Sequence, residues 1–237
     1  MQYMGGKSKI AKDISQIINN HTQGIRPFVS LFCGSCAIET KVDAKYKICN
    51  DKHEYLIAMW GAAVNGYIFP DIVTEEQYKY IKAHKDEDRA LAGFVGFGCS
   101  FGGIWFQSIA RSKGRNHADE SKRALEKDIQ GLQNTLFSCL DYKQVYIPAG
   151  AVVYCDPPYK ETTGYTTGSF DHAEFWQYMR ELSATHTVFI SEEQAPADFV
   201  CVWEKSFTRT LDRNKENQPK KIERLFQCAG ALDQSHF

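Results

Sequence analysis

The sequence predicts an α/β protein built on an open, mostly parallel sheet that finishes in an antiparallel hairpin. Three observations predict it. Seven short apolar runs, rich in β-branched and aromatic residues, read as strands. Segments of helical periodicity stand between most of the earlier ones, as crossover connections require. The last two are joined by a polar stretch, 212–221, which reads as a long hairpin loop. With 237 residues the chain can bury one good core and carry a small inserted subdomain.

Met4-Gly5-Gly6-Lys7 precedes Ile10, Ile14, Ile17 and Ile18 at helical spacing. A Gly-Gly turn with free backbone N–H groups at a helix start favours an anionic ligand group, and a flexible terminus is the plain alternative. Residues 27–32 form the first strand, 33–37 a turn holding Gly34, and a helix is expected from Ile38 onward. Strand, tight glycine turn and helix let a cofactor approach the backbone closely. The second strand, 46–51, ends at Asp51, a carboxylate placed to accept hydrogen bonds from ribose hydroxyls, or else to cap a helix. Turn and acid together point to an adenosyl cofactor.

Residues 53–110 read as mostly helical, with a helix start around Asp71, Thr74 and Glu75. The stretch 97–107 then interleaves aromatics with glycines. Phe101, Ile104 and Trp105 suit a core, and they equally suit apolar wedges in a duplex, with Arg111, Lys113, Arg115 and Asn116 holding phosphates. Residues 118–133 form an amphipathic helix with Ala124, Leu125, Ile129 and Leu132 on one side. The third strand, 136–139, leads to Asp141 and Tyr142, an acid and a ring able to bond and flank adenine. Past the fourth strand, 152–155, residues 160–169 form a loop suited to a lid. Asp171 and Glu174 make a capping box for the next helix, and strands at 187–191, 199–203 and 222–228 complete the sheet.

The fourth strand carries the chemistry. Val152-Val153-Tyr154-Cys155 runs straight into Asp156-Pro157-Pro158-Tyr159. Each proline lacks an N–H and fixes φ, so the strand stops there. A carboxylate, prolyl carbonyls outside any ladder and an aromatic ring thus gather at the carboxyl end of a strand, where open α/β sheets bind ligands. A planar base with an exocyclic amine needs acceptors for its two hydrogens and a ring to stack on. A Pro-terminated strand with a surface Tyr is the bland reading of the same residues.

Net charge is −1, which excludes a chain that is basic throughout. Charge is uneven, however. Residues 111–127 hold six Lys and Arg against three acids, and residues 205–224, with Lys215 among them, hold seven against three. Such stretches suit a confined polyanion contact as well as solvated faces. Of the eight cysteines, Cys49, Cys139, Cys155, Cys201 and Cys228 sit in apolar strand-like runs and are expected to be buried. Cys33 and Cys36 form one CxxC without the second pair a tetrahedral zinc site usually has, so no metal is expected. No run approaches the roughly 18–20 apolar residues of a membrane span, and the N-terminus lacks a signal-peptide pattern. Cytoplasm is the expected compartment.

Asp156-Pro157-Pro158-Tyr159 resembles the catalytic tetrapeptide of the DNA adenine N6-methyltransferases of the Dam-like kind. The resemblance runs over nearly the whole chain and implies a Rossmann-like seven-stranded methyltransferase sheet, with a helical target-recognition insertion. It divides the chain into a catalytic, S-adenosylmethionine-binding domain (residues 1–60 and 135–237) and the insertion (61–134), whose recognition segment is about 97–123. It implies an S-adenosyl-L-methionine pocket at Tyr3, Gly5, Gly6, Lys7, Phe32, Gly34, Asp51, Asp141, Tyr142 and Asp156, and double-stranded DNA as partner. Two places depart from the family's pattern: Cys36 stands where a second glycine is usual, and Ser30 where an acid often precedes the turn. Members that read GATC carry Asn and Arg where Gly102 and Phe106 stand here, so the resemblance does not extend to that site. Related tetrapeptides act on RNA or protein amides, commonly with Asn in place of Asp156, and an inactive DNA-binding module of the same fold is a further alternative.

Overall fold

A computed structural model describes residues 3–158, 170–208 and 220–232. Its seven strands are β1 (Phe28–Ser30), β2 (Lys47–Asn50), β3 (Thr135–Ser138), β4 (Val152–Cys155), β5 (Thr187–Glu192), β6 (Phe199–Thr208) and β7 (Lys220–Cys228). They lie in the order β3-β2-β1-β4-β5-β7-β6. The first five are mutually parallel, and β7 runs antiparallel to both β5 and β6. From β1 the chain winds outward one way through β2 and β3, then returns to β4 and winds the other way. The β1/β4 boundary is therefore the switch point of the sheet, where the carboxyl ends open into a crevice.

Alternation along β4 explains why its sequence is apolar throughout. Val152 and Tyr154 pack with Ile14 and Ile18 of α1 (Ala11–Thr22) and with Ile10 just before it, whereas Val153 and Cys155 pack with Phe175, Met179 and Leu182 of α6 (His172–Ser183). Both faces are covered, as a parallel sheet requires. At the β3 side, α2 (Glu54–Val64), α3 (Glu75–Ala83), α4 (Arg89–Gly93), the π-helical turn Phe94–Gly98 and α5 (His117–Asp128) share one apolar cluster with Cys33, Cys36 and Cys49. Thr74 and Gln77 form a reciprocal capping box on α3, and Asp171 caps α6 through the N–H groups of Ala173 and Glu174. A short helix, α7 (Ala229–Leu232), follows β7.

Three expectations are corrected. The helix expected from Ile38 is a single 3-10 turn, Glu39–Lys41. The chain has only a few residues there before β2, and Thr40 and Val42 are β-branched. Cys139 and Cys201 are exposed and Cys228 half-buried, although Cys49 and Cys155 are buried. Cys139 follows β3 and Cys201 lies in β6, the two edge strands, whose outer sides meet solvent. The amphipathic helix at 118–133 ends at Asp128, and Ile129–Leu132 continues as a 3-10 turn.

That last turn docks tightly on the first. A Cβ at Gly131 would lie 2.0 Å from the Thr40 carbonyl oxygen, and backbone has no flexible end to move aside. Gly131→Ala is expected to cost about 3 kcal/mol, at the upper end for overpacking, and so to lower Tm by roughly 6–12 °C. Calorimetry checks this, and a drop below about 1 °C would show that the two turns separate freely.

Candidate active site

The crevice at the switch point is lined from β1 and its turn by Phe32, Cys33, Gly34 and Glu39, from β2 by Asn50, Asp51 and His53, from the segment after β3 by Asp141 and Tyr142, and from β4 by Tyr154, Asp156 and Pro158. Tyr3, Gly5, Gly6 and Lys7 close one side, and Phe170, Asp171 and Glu174 another. The structure thus brings together Tyr3, Gly5, Gly6, Lys7, Phe32, Gly34, Asp51, Asp141, Tyr142, Asp156 and Pro158. Tyr159, the loop at 160–169 and Lys215 lie outside the described residues.

The turn after β1 takes its shape from left-handed backbone at Gly34 and Cys36. Gly34 has φ +47°, and a Cβ there would stand 3.4 Å from the Tyr3 ring. Cys36, at the family's second glycine, also adopts a left-handed φ of +51°. A Cys side chain is therefore accommodated in the conformation that glycine takes most easily. Burial pushes the Cys33 thiol up to about 12 and the Cys36 thiol well above its usual value, so both stay protonated. Asp51 ties this turn to the start of α2 by accepting from the Gly34 N–H (3.0 Å) and the His53 N–H (2.9 Å). Burial raises its pKa against those hydrogen bonds. His53 rather than Asp51 caps α2, its Nδ1 accepting from Leu56 N–H. Burial depresses this imidazole to about 4, so it is neutral at physiological pH.

Phe32, Tyr142 and Phe170 form an aromatic wall, with ring centroids 5.3 to 5.9 Å apart. Asp141 accepts from the Lys143 N–H at 3.1 Å and lies 3.7 Å from Lys52 Nζ.

Asp156 does not stand alone. Lys7 Nζ is 2.9 Å from its Oδ1 and 3.5 Å from Oε2 of Glu223 on β7. Burial alone would lower the Lys7 pKa, but the two carboxylates outweigh it and leave the ammonium above its usual value. Glu192, at the end of β5, is pushed up to about 7 by burial and by the nearby Asp156 and Glu193. Sequence reasoning missed Glu39, Glu192 and Glu223. For Glu223 the signal was a charged residue amid the apolar positions of the seventh strand.

Glu39 sets a carboxylate against Ser30. Its Oε1 accepts from Ser30 Oγ at 2.6 Å, and the side chain is only 2% exposed. Burial lifts its pKa to about 7. The unfolded chain releases this proton near 4.5, whereas the folded chain keeps it to about 7, so folding loses stability as pH rises across that window. Glu39→Gln removes this dependence. Relative to wild type it is expected to gain up to about 3 kcal/mol between pH 4.5 and 8, read from Tm at both ends. A constant Tm difference would place the ionisation of Glu39 at its ordinary pH.

The DNA-facing candidates separate. Phe101 is 64% exposed, next to the Ser100–Ile109 bridge, its N–H donating to the Ser108 carbonyl at 2.8 Å. Ile104 and Trp105 are half-buried, and Trp105 packs on His53, Tyr55, Phe97 and Phe106. Arg111 and Arg115 are exposed but paired with Glu75 and Glu120. Lys113 is exposed, and Asn116 caps α5 while donating to the Asp71 carbonyl.

Among the described residues no group of three or more His, Cys, Asp or Glu side chains is placed to hold a metal ion, and no helix is long and apolar enough to cross a membrane. A mostly parallel sheet with an acid-Pro-Pro corner in its switch-point crevice defines a methyltransferase of the Rossmann-like class. The family model of D12 class N6 adenine-specific DNA methyltransferases matches residues 3–94 and 106–217. The chain belongs to that family and is an adenine-specific DNA methyltransferase.

Proposed function

We propose that the enzyme moves the methyl group of S-adenosyl-L-methionine to N6 of an adenine everted from duplex DNA. What supports this reading above all is that Asp156, at the end of β4, and Asp51, at the end of β2, line one crevice. The residues there fit the cofactor: an acid for ribose hydroxyls, an aromatic wall, and a buried carboxylate and an ammonium toward the N-terminal glycines. When bound, the cofactor supplies an electrophilic methyl carbon on a sulfonium.

Adenine N6 is a poor nucleophile because its lone pair is delocalised into the ring. Asp156 and the Pro157 carbonyl accept its two hydrogens and favour the pyramidal, cationic nitrogen that develops as the new bond forms. Acceptors already aimed at that charge stabilise the transition state most. Lys7 orients the Asp156 carboxylate for this task, and Pro158 keeps the corner rigid. A base within a duplex cannot reach the crevice, so it is turned out, with Tyr159 as its stacking partner.

Residues 61–134 serve as the target-recognition insertion on the catalytic domain of 1–60 and 135–237. Phe101 acts as the apolar wedge, backed by Ile104 and Trp105. Arg111, Lys113, Arg115, Asn116 and Lys215 meet phosphates, with Arg111 and Arg115 exchanging their acidic partners for the backbone. Methyl uptake on duplex DNA, RNA and protein, compared side by side, tests the reading. Label is expected in duplex DNA alone, and label confined to RNA or protein would overturn it.

A further inference from the structure

Glu39 poses a problem that the fold by itself does not solve. It is a carboxylate almost wholly removed from water, yet it lines the crevice. Among the described residues no cationic side chain forms an ion pair with it. Lys47 of β2 spends its hydrogen bonds on backbone instead, donating to the Glu39 carbonyl at 2.9 Å and the Gly131 carbonyl at 2.6 Å. Asp156 and Tyr154 at the end of β4 and Cys33 of the turn act on Glu39 electrostatically; of the ammonium groups, Lys47 also acts on it, and Lys7 of the same crevice is held by Asp156 at 2.9 Å. Buried carboxylates are ordinarily paired or neutralised. Here the carboxylate accepts from Ser30 on one oxygen, is eased further by the Glu39 and Ile38 N–H groups, and still lines the crevice.

Resting on the S-adenosylmethionine reading above, we infer that Glu39 receives the α-ammonium group at the amino-acid end of that cofactor. An ammonium, unlike a sulfonium, carries N–H donors, and a buried carboxylate already accepting from Ser30 has lone pairs suited to one more. The acid thus reaches the crevice from the far side of the turn, in place of an acid at position 30. Before the ligand arrives Glu39 holds its proton to about pH 7. Pairing with the ammonium favours its ionised form, so binding below pH 7 releases that proton.

Titration calorimetry with S-adenosylhomocysteine, its desamino analogue and methylthioadenosine, in two buffers of different ionisation enthalpy at pH 6 and 8, tests this. Wild type is expected to release a proton on binding S-adenosylhomocysteine at pH 6 and much less at pH 8, and none with the two ligands that lack the amine. Glu39→Gln is expected to abolish the release and weaken S-adenosylhomocysteine roughly 10–100-fold, the size of a charged hydrogen bond, while leaving methylthioadenosine unchanged. Glu192 also titrates near 7 beside Asp156 and Lys7, so the variant assigns the proton. Equal weakening of all three ligands, unchanged affinity, or a release that persists with the desamino ligand would overturn the inference. Where Glu39→Gln fails to fold, Glu192→Gln assigns the proton instead: a release that persists in it supports Glu39, and one that vanishes overturns the inference. A wild type that binds none of the three refutes the cofactor reading itself, a separate and recognisable outcome.

Discussion

Asp156→Ala is expected to lower the turnover number at least ~10³-fold, beyond the effect of losing one preorganised transition-state contact, while the cofactor dissociation constant changes less than about threefold. The large effect follows from where the carboxylate acts. Adenine N6 gains positive charge only as the methyl group arrives, so an acceptor at that nitrogen contributes in the transition state and little before it. Asp156→Asn separates charge from shape. The amide keeps an acceptor oxygen but sets an uncharged group beside Lys7, so it is expected to fall between wild type and alanine. Single-turnover methylation and calorimetry, run together, check both halves. Turnover in the alanine variant within tenfold of wild type would remove the carboxylate from the chemistry.

Lys7→Ala carries the second large effect, first on stability. The Lys7 side chain is 8% exposed, lying against Asp156 at 2.9 Å and Glu223 at 3.5 Å. Its removal takes the ammonium away from Glu223, which is buried, and from Asp156, which is half-buried. Breaking a buried pair by deleting one partner costs about 3–5 kcal/mol, which is roughly 6–20 °C in Tm for a chain of this size. The loss is expected to shrink below about pH 5, where carboxylates take up protons and the repulsion disappears. Adding Glu223→Gln to Lys7→Ala is expected to restore part of the lost stability but not turnover, because Asp156 still lacks the group that orients it. Thermal denaturation at pH 4 and 7.5 measures this, and a loss equal at both values would mean that packing, not charge, is what Lys7 supplies.

Much of the fold was legible because strands buried on both faces must be apolar at every position, and Val152 to Cys155 are. The same holds for Val188 to Ile190 at the centre of β5. Proline and glycine marked where the strands had to stop and turn, which located Asp156 and Gly34. Less legible was whatever depends on a residue's neighbours across space. Cys139 and Cys201 look like core residues by local composition, and only the strand order reveals them as edge positions. Glu39 fell within the helix expected from Ile38 and drew no reading of its own. It became a buried crevice residue once that helix shortened to one turn and Ser30 turned out to be its partner. Glu223 and Lys7 lie at opposite ends of the sequence, and no local pattern announces an ion pair of that span. Trp105 shows a further limit: an aromatic among glycines suits core and wedge alike, and only the fold packs its ring against His53 and Tyr55 while leaving Phe101 exposed.

The account stands or falls on the fate of the adenine amine. Duplex DNA of varied sequence, incubated with enzyme and S-adenosyl-L-methionine and then digested to nucleosides, is to be analysed by mass spectrometry. N6-methyladenine is the expected product, formed by wild type and missing from the Asp156→Ala reaction. Methyl groups found on any other base, or on none, would contradict it.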